Sequence, residues 1–336
     1  MPLLAHTPLP AFARLAREGW PVIAPGAWHG PVLRVGLVNT MADGALEATE
    51  RQFLRLLAAG APGHGLEVHV CGLPEIPRGP AARSHCDAHY LDLPALRAVR
   101  PHALIVSGAN IPDPDLDRLL HREALAEVID WSAAEVPLTL FSCLATHAVL
   151  HFHHGKRRRA LPAKRWGIFA HRVVQPEHPL VAGLADGLVV PHSRWNQVAN
   201  ADFTAAGLDV LVVDAGDGGV HLAASRDGRQ VFMQGHPEYD PVSLLKEHKR
   251  EVARFAAGQR SGYPETPVDI VDAGGLAILA RHRDEVLLAR RCGDAIPVTY
   301  PETSLLPHLF DTWRRDTERF FAAWLAPLAG QAGRTV

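Results

Sequence analysis

The sequence predicts an α/β protein built on an open, mostly parallel sheet flanked by helices. Three observations carry that prediction. Short apolar runs alternate with amphipathic helical stretches over the first 150 residues, which is the signature of a wrapped parallel sheet. One of those runs, Leu138-Thr-Leu-Phe141, ends in Ser142-Cys143-Leu144 and passes directly into helix-forming sequence. The 336 residues are 47% hydrophobic and 21% charged, enough to bury a sizeable core.

The elements follow in order. Residues 1–30 are rich in Pro, Ala and Gly and read as a leading strap with one short helix around Phe12 to Glu18. Val32 to Val38 is the first strand. After the loop Asn39-Thr-Met-Ala-Asp-Gly44, apolar residues at 46, 53, 54, 57 and 58 place a helix over Leu46 to Ala59. Leu66 to Cys71 alternates as a second strand, and residues 72–92 read as a long Pro/Gly/His loop. Ala103 to Gly108 is a third strand, a Pro/Asp-rich loop covers 110–115, and a helix spans Leu116 to Ala134. The strand ending at Cys143 and the helix from Leu144 complete the alternation.

Gly167 to Asp240 is richer in strands, at Leu188–Pro191, Val210–Val213, Val220–Ala224 and Gln230–Gln234. Helices are expected at 241–258 and 306–327. The stretch 262–305 contains one more over Ala277 to Arg291, placed over the active-site mouth. The organisation predicted is a strap at 1–30, a catalytic α/β domain at 31–258 and a C-terminal extension at 259–336 packed on the same domain.

Bulk properties exclude several classes. A net charge of −2 gives no general pull toward nucleic acid or a membrane surface. No apolar run approaches the roughly 20 residues that cross a bilayer, and Met1-Pro-Leu-Leu-Ala-His-Thr-Pro8 lacks a charged segment ahead of an apolar core, so no signal peptide is expected. Four cysteines (Cys71, Cys86, Cys143, Cys292) without C-x-x-C spacing argue against disulfides and structural zinc, and favour a cytoplasmic location. His151, His153 and His154 cluster locally but read as a polar helix end, and no metal is expected.

Chemistry concentrates at two places. A thiol at a strand-to-helix turn meets the positive end of a helix dipole, which lowers its pKa, and the same turn offers backbone N–H groups to an oxyanion. That makes Cys143 a nucleophile and the Leu144 N–H an oxyanion donor, with a second donor from the 107–110 loop. In Gln230-Val-Phe-Met-Gln-Gly-His-Pro-Glu-Tyr-Asp240 a strand ends in Gly235, and Pro237 biases His236 toward an extended backbone. His236 then faces the thiol while Glu238 fixes its tautomer, the logic of nucleophile, base and orienting acid.

Together these segments resemble the class I glutamine amidotransferase-like fold and, within it, the homoserine O-acyltransferase family of the MetA type. The resemblance rests on Asn39-Thr-Met with Glu50-Arg-Gln-Phe-Leu-Arg-Leu-Leu57, Leu104-Ile-Val-Ser-Gly-Ala109, Trp131 ahead of Phe141-Ser-Cys143, Pro191-His-Ser-Arg194, and Gly235-His-Pro-Glu-Tyr-Asp240. It implies ping-pong acyl transfer from an acyl-CoA co-substrate to the homoserine hydroxyl, with no bound cofactor. Cys143 would carry the acyl group, His236 would move the protons and Glu238 would orient it. Arg194 would grip the substrate carboxylate, beside Ser193. It also implies small-molecule substrates and a homodimer.

The chain departs from the family pattern in two places. The first loop lacks the lysine pair found near the donor in many members, which leaves Lys156-Arg-Arg-Arg159 and Lys164-Arg165 as candidates for coenzyme A phosphates. A solvated basic loop is the competing reading. Pro112 occupies the position where Gly or Glu accompanies succinyl or acetyl donors. It lacks the Glu carboxylate that repels a succinyl group, which favours succinyl-CoA over acetyl-CoA. Serine remains an alternative acceptor, since one methylene is worth only about 1–3 kcal/mol. A glutamine amidotransferase-like amide hydrolase shares the cysteine, histidine and glutamate but usually has Gly-x-Cys-x-Gly, where this chain reads Phe141-Ser-Cys-Leu-Ala145.

Overall fold

The computed structural model describes residues 1–60, 63–185, 187–292 and 299–329. Residues 293–298, within the stretch 262–305, and the tail 330–336 of the predicted extension lie outside the described residues.

The strands are β1 (Leu3–Leu4), β2 (Val22–Ile23), β3 (Val32–Val38), β4 (Gly65–Cys71), β5 (Ala103–Val106), β6 (Leu138–Ser142), β7 (Arg159–Val173), β8 (Val189–Gln197), β9 (Asp209–Asp214), β10 (Val220–Ala224) and β11 (Gln230–Met233). They form one sheet in the order β2-β1-β4-β3-β5-β6-β11-β10-β9-β7-β8. Pairing is parallel from β2 through to β11 and antiparallel from β11 to β8. β6 and β11 are neighbours in register, Phe141 beside Phe232 and Ser142 beside Met233. Their carboxyl ends therefore deliver Cys143 and His236 to the same edge of the sheet, where open α/β sheets place their reactive groups.

The helices are α1 (Pro10–Arg17), α2 (Leu46–Ala58), α3 (Pro80–His89), α4 (Leu93–Val99), α5 (Arg122–Glu135), α6 (Leu144–His154), α7 (Asn200–Ala205), α8 (Pro241–Ala256), α9 (Ala273–Cys292), α10 (Glu302–Leu305) and α11 (Arg314–Ala329). Alternate strand residues feed two cores, as the period of two requires. Leu33, Val35, Leu37 and Ile105 pack with Phe53 and Leu57 of α2 and with Phe321 and Trp324 of α11. Leu104, Val106 and Phe141 pack on the other face with Val128 and Ile129 of α5 and with Val149 and Leu150 of α6. A third cluster joins Trp166 and Ile168 of β7 to Leu245 and Val252 of α8, Leu279 of α9 and Trp313.

The C-terminal segment is also stitched to the sheet. The Val268 N–H donates to the Trp166 carbonyl at 2.9 Å, and the Ile168 N–H donates to the Val268 carbonyl at 2.8 Å. Between them Gly167 has φ +141°, and a Cβ there would lie 2.4 Å from both Val268 backbone N and O. Only glycine allows that approach.

Four expectations differ from the structure. Residues 72–92 contain α3, a helix with no buried residue, so its sequence has no apolar stripe. The helix expected from Leu116 begins only at Arg122, after a single 3₁₀ turn at Leu116–Arg118. The last helix starts at Arg314 rather than 306, because Pro307 falls in a 3₁₀ turn at Leu306–His308. The basic stretch 159–165 is not a loop but the start of the 15-residue β7, whose register with β8 shifts between Ala160 and Arg165 around Pro162.

Candidate active site

Cys143 sits at the N-cap of α6 with φ 50° and ψ −109°, a sharp strand-to-helix elbow in the region that L-residues avoid. The strain is held by its surroundings. The Cys143 N–H donates to the Met233 carbonyl at 2.6 Å. The Thr146 hydroxyl donates to the Phe141 carbonyl at 2.7 Å and accepts from the Met233 N–H at 3.0 Å. Leu144 opens the helix, so its N–H has no intrahelical acceptor. Gly108 approaches so closely that a Cβ there would lie 2.7 Å from the Cys143 Cβ. The Thr40 N–H donates to the Ser107 hydroxyl at 2.8 Å, and the Thr40 hydroxyl donates to the Gly108 carbonyl at 2.9 Å, which pins that loop to the Asn39-Thr-Met turn.

His236 is buried and faces the Cys143 thiol closely enough for each to act on the other's charge. Its N–H donates to the Pro191 carbonyl at 2.7 Å. Its Nδ1 donates to Glu238 Oε1 at 2.8 Å, which leaves Nε2 for the sulfur. The ring stacks on Tyr239 at 4.5 Å. Burial works to raise the Cys143 thiol, but the charge of His236, with that of Arg194 beyond, holds it below its ordinary value. Burial works to lower His236, but Cys143 and Glu238 hold it well above. Both shifts favour the thiolate and imidazolium forms of the pair.

Arg194 lies on β8 and lines the pocket over Cys143, together with Ser193 and Leu144. Arg194 is 4% exposed and its guanidinium hydrogen-bonds only neutral groups: Nη1 donates to His192 Nδ1, and Nη2 donates to Gln197 Oε1 at 2.8 Å. The remaining tautomers follow. His192 must carry its proton on Nε2 and donate it to His171 Nε2 at 3.1 Å, and His171 Nδ1 donates to the Phe169 carbonyl at 2.8 Å. His221 Nδ1 accepts from the Gly235 N–H at 3.2 Å. These three histidines form the one cluster among the described residues whose nitrogens could surround an ion. Their lone pairs are already committed to this chain of hydrogen bonds, and Arg194 brings a cation to its end, so the donor set does not suit a metal.

Two predicted residues share a partner outside the prediction. Lys164 Nζ lies 2.9 Å from Glu247 Oε2, and the Ser193 hydroxyl donates to the same oxygen at 2.6 Å. The Tyr239 hydroxyl donates to Glu247 Oε1 at 3.1 Å. Pro112 is exposed and lines neither the Cys143 pocket nor the adjoining cleft, although its carbonyl accepts from Asn196 at 3.0 Å. Several of the cations offered for coenzyme A phosphates are engaged inside the chain, whereas Arg159 is exposed and has no ion pair among the described residues. Arg157 meets Asp117 at 3.2 Å, Arg165 meets Asp217 at 3.0 Å and Lys156 stands 3.9 Å from Asp202. His151 and His153 pair separately with Asp117 and Asp130, as a polar helix end does.

A family model described as homoserine O-succinyltransferase matches residues 2–332. The chain belongs to the homoserine O-succinyltransferase family.

It is 48% identical over 329 residues to the homoserine O-succinyltransferase of Allochromatium vinosum, covering 97% of this chain and 92% of that one. It is 43% identical over 332 residues to the homoserine O-succinyltransferase of Methylococcus capsulatus, covering 98% and 93%. Among solved structures, a glutamine amidotransferase from Thermotoga maritima aligns with a TM-score of 0.46 at 12% identity, over 92% of this chain and 100% of that one.

In this homoserine O-succinyltransferase family member, sequence reasoning missed Glu247 and any role for His192, and offered Arg158 only as one of a basic run for coenzyme A phosphates. Glu247 carried a usable signal, an acidic residue on α8 next to the buried positions Leu244, Leu245 and His248. Arg158 also lines the Cys143 pocket, yet sits in a basic run whose neighbours point elsewhere. No helix among the described residues is long and apolar enough to cross a membrane.

Proposed function

We propose that this chain transfers the succinyl group of succinyl-CoA to the hydroxyl of homoserine through a thioester on Cys143, a step of methionine biosynthesis. The observation that supports it most is the buried Cys143–His236–Glu238 set on a strained elbow, in a chain of this family.

The Cys143 thiolate attacks the thioester carbonyl. The oxyanion that forms meets the Leu144 N–H and the backbone of the 107–110 loop. Coenzyme A leaves as its thiol, taking the proton held on His236. The homoserine hydroxyl then gives its proton to His236 Nε2 as its oxygen attacks the acyl-cysteine carbonyl. Collapse expels Cys143 as thiolate, which restores the starting pair. Exchange of one thioester for another is nearly neutral and the final oxygen ester lies downhill, so the covalent intermediate divides the reaction into two accessible steps. The cleft of about 570 Å³ that shares Ala109, Asn110 and Ile111 with the Cys143 pocket is the approach for the donor. Arg194 and Ser193, which line the Cys143 pocket, receive the acceptor, with Lys164 held behind Ser193 through Glu247.

Intact-protein mass after mixing with succinyl-CoA, without acceptor, tests this directly. One succinyl adduct is expected, discharged by homoserine and persistent with glutamine. No adduct would refute the acyl-enzyme. Arg194→Ala is expected to raise the homoserine KM and lower kcat/KM by about 100-fold, the effect of losing a charged hydrogen-bonding partner worth about 3 kcal/mol. An unchanged acceptor profile removes Arg194 from that role.

A further inference from the structure

Arg158 is a buried cation that the reaction scheme above does not use. It is 6% exposed and lines the pocket over Cys143. Its Nε donates to the Pro114 carbonyl at 3.3 Å, and its Nη2 donates to the Ile111 carbonyl at 3.1 Å and to the Asp113 carbonyl. All three partners are neutral backbone groups of one loop, the loop whose Ala109–Ile111 segment walls the pocket. Nη1 makes no hydrogen bond among the described residues, and none of their carboxylates lies within 4 Å of the guanidinium. The carboxylate carried by that same loop, Asp113, is half exposed and faces Arg118 at 3.9 Å.

A buried guanidinium without a counter-ion costs several kcal/mol. Its neighbour Arg157 pairs with Asp117, and Arg165 further along β7 pairs with Asp217. Arg158 has no carboxylate within 4 Å and is fixed in place by backbone; the anion that acts on it most is the Cys143 thiolate across the pocket, and acylation of Cys143 removes that charge. A succinyl group on Cys143 carries an anion of its own, two methylenes from the reacting carbonyl. An acetyl group carries none, and leaves the charge buried and unpaired.

We propose that Arg158 receives the terminal carboxylate of the succinyl group and so selects succinyl-CoA over acetyl-CoA. This rests on the reading that succinyl-CoA is the donor. It places the selection in a cation behind the 109–114 loop, with Pro112 outside the pocket, and leaves Arg194 to the acceptor.

The test compares kcat/KM for succinyl-CoA and acetyl-CoA, at fixed homoserine, in the wild type, Arg158→Gln and Arg158→Lys, with thermal midpoints for each. In Arg158→Gln the succinyl-to-acetyl ratio should fall on the order of 10- to 100-fold, the size expected for one charge-assisted hydrogen-bonded contact. The homoserine KM should hold. Arg158→Lys should restore most of the ratio, because it keeps the charge while losing the fork to the three carbonyls. Equal loss with both donors, or a ratio in Arg158→Lys as low as in Arg158→Gln, overturns the assignment in favour of a loop staple. A raised homoserine KM at an unchanged ratio overturns it in favour of an acceptor role. Failure of the wild type to form a succinyl adduct brings down the donor reading itself, and that is seen without any variant.

Discussion

Cys143→Ala is expected to lower acyl transfer by at least about 10⁴-fold, the loss seen when a covalent nucleophile is removed from an otherwise intact site. The fold should survive. The elbow is held by backbone and Thr146 contacts that do not involve the sulfur. Alanine adopts φ 50° no more readily than cysteine, so backbone strain is unchanged. The substitution removes one half of a buried ion pair and leaves His236 with Glu238, so His236 should titrate closer to the ordinary histidine range. Three measurements separate the outcomes: steady-state rate, thermal midpoint and succinyl adduct mass. A folded variant without adduct or turnover establishes the nucleophile. Residual activity at wild-type level with no adduct would instead require direct attack by homoserine, and the ping-pong scheme would be abandoned. In the wild type, the same pair sets the acid limb of the donor half-reaction. Burial opposes the Cys143 thiolate, but His236 and Arg194 outweigh it. The rate should therefore hold to a pH below the ordinary cysteine range and fall only as the thiolate is protonated.

The elements that carry this chemistry were readable because their signals are local. Leu138 to Phe141 is an apolar run followed at once by a turn and a helix former, and Gly235-His-Pro-Glu238 fixes its own backbone. Parallel pairing of β6 with β11 then brings the two ends together, a contact between strands about ninety residues apart that no local signal specifies. β7 was hidden for the opposite reason. Arg159, Ala160, Pro162, Lys164 and Arg165 have poor strand propensity, and what makes them a strand is β8 some thirty residues later. α3 was hidden because none of its residues is buried, so no period appears in its sequence. Arg158 resembles Arg157 and Arg159 in every local respect. Only the carbonyls of the 111–114 loop, more than forty residues upstream in the chain, distinguish it.

The same distinction between local and distant support bears on how the His236 turn is held. Asp240 closes that turn and begins α8, and its N–H donates to the Ser243 hydroxyl at 3.1 Å. Its carboxylate sits between two arginines of α2: Arg55 Nη1 lies 2.5 Å from Oδ1, and Arg51 pairs with Oδ2. All three side chains are about nine-tenths buried. Asp240→Asn preserves shape while leaving two desolvated guanidinium groups facing an amide. Arg51 retains only Glu18 at 3.7 Å. The expected cost is about 3–5 kcal/mol, the usual range for breaking a buried pair from one side. Burial works to raise the Asp240 carboxyl, but the two arginines bring it from 3.8 down to about 2. A depressed carboxyl stabilises the fold above its unfolded pKa, so this contribution is complete at neutral pH. It is lost as pH falls from near 4 through about 2. That shift corresponds to on the order of 2 kcal/mol of the total. Denaturant midpoints of wild type and Asp240→Asn should therefore differ most at neutral pH and converge as the solution is acidified through that window. A difference that does not narrow would assign the loss to packing and to the α8 start, not to the ion pair. No difference at all would show that the turn carrying His236 and Glu238 is held without α2.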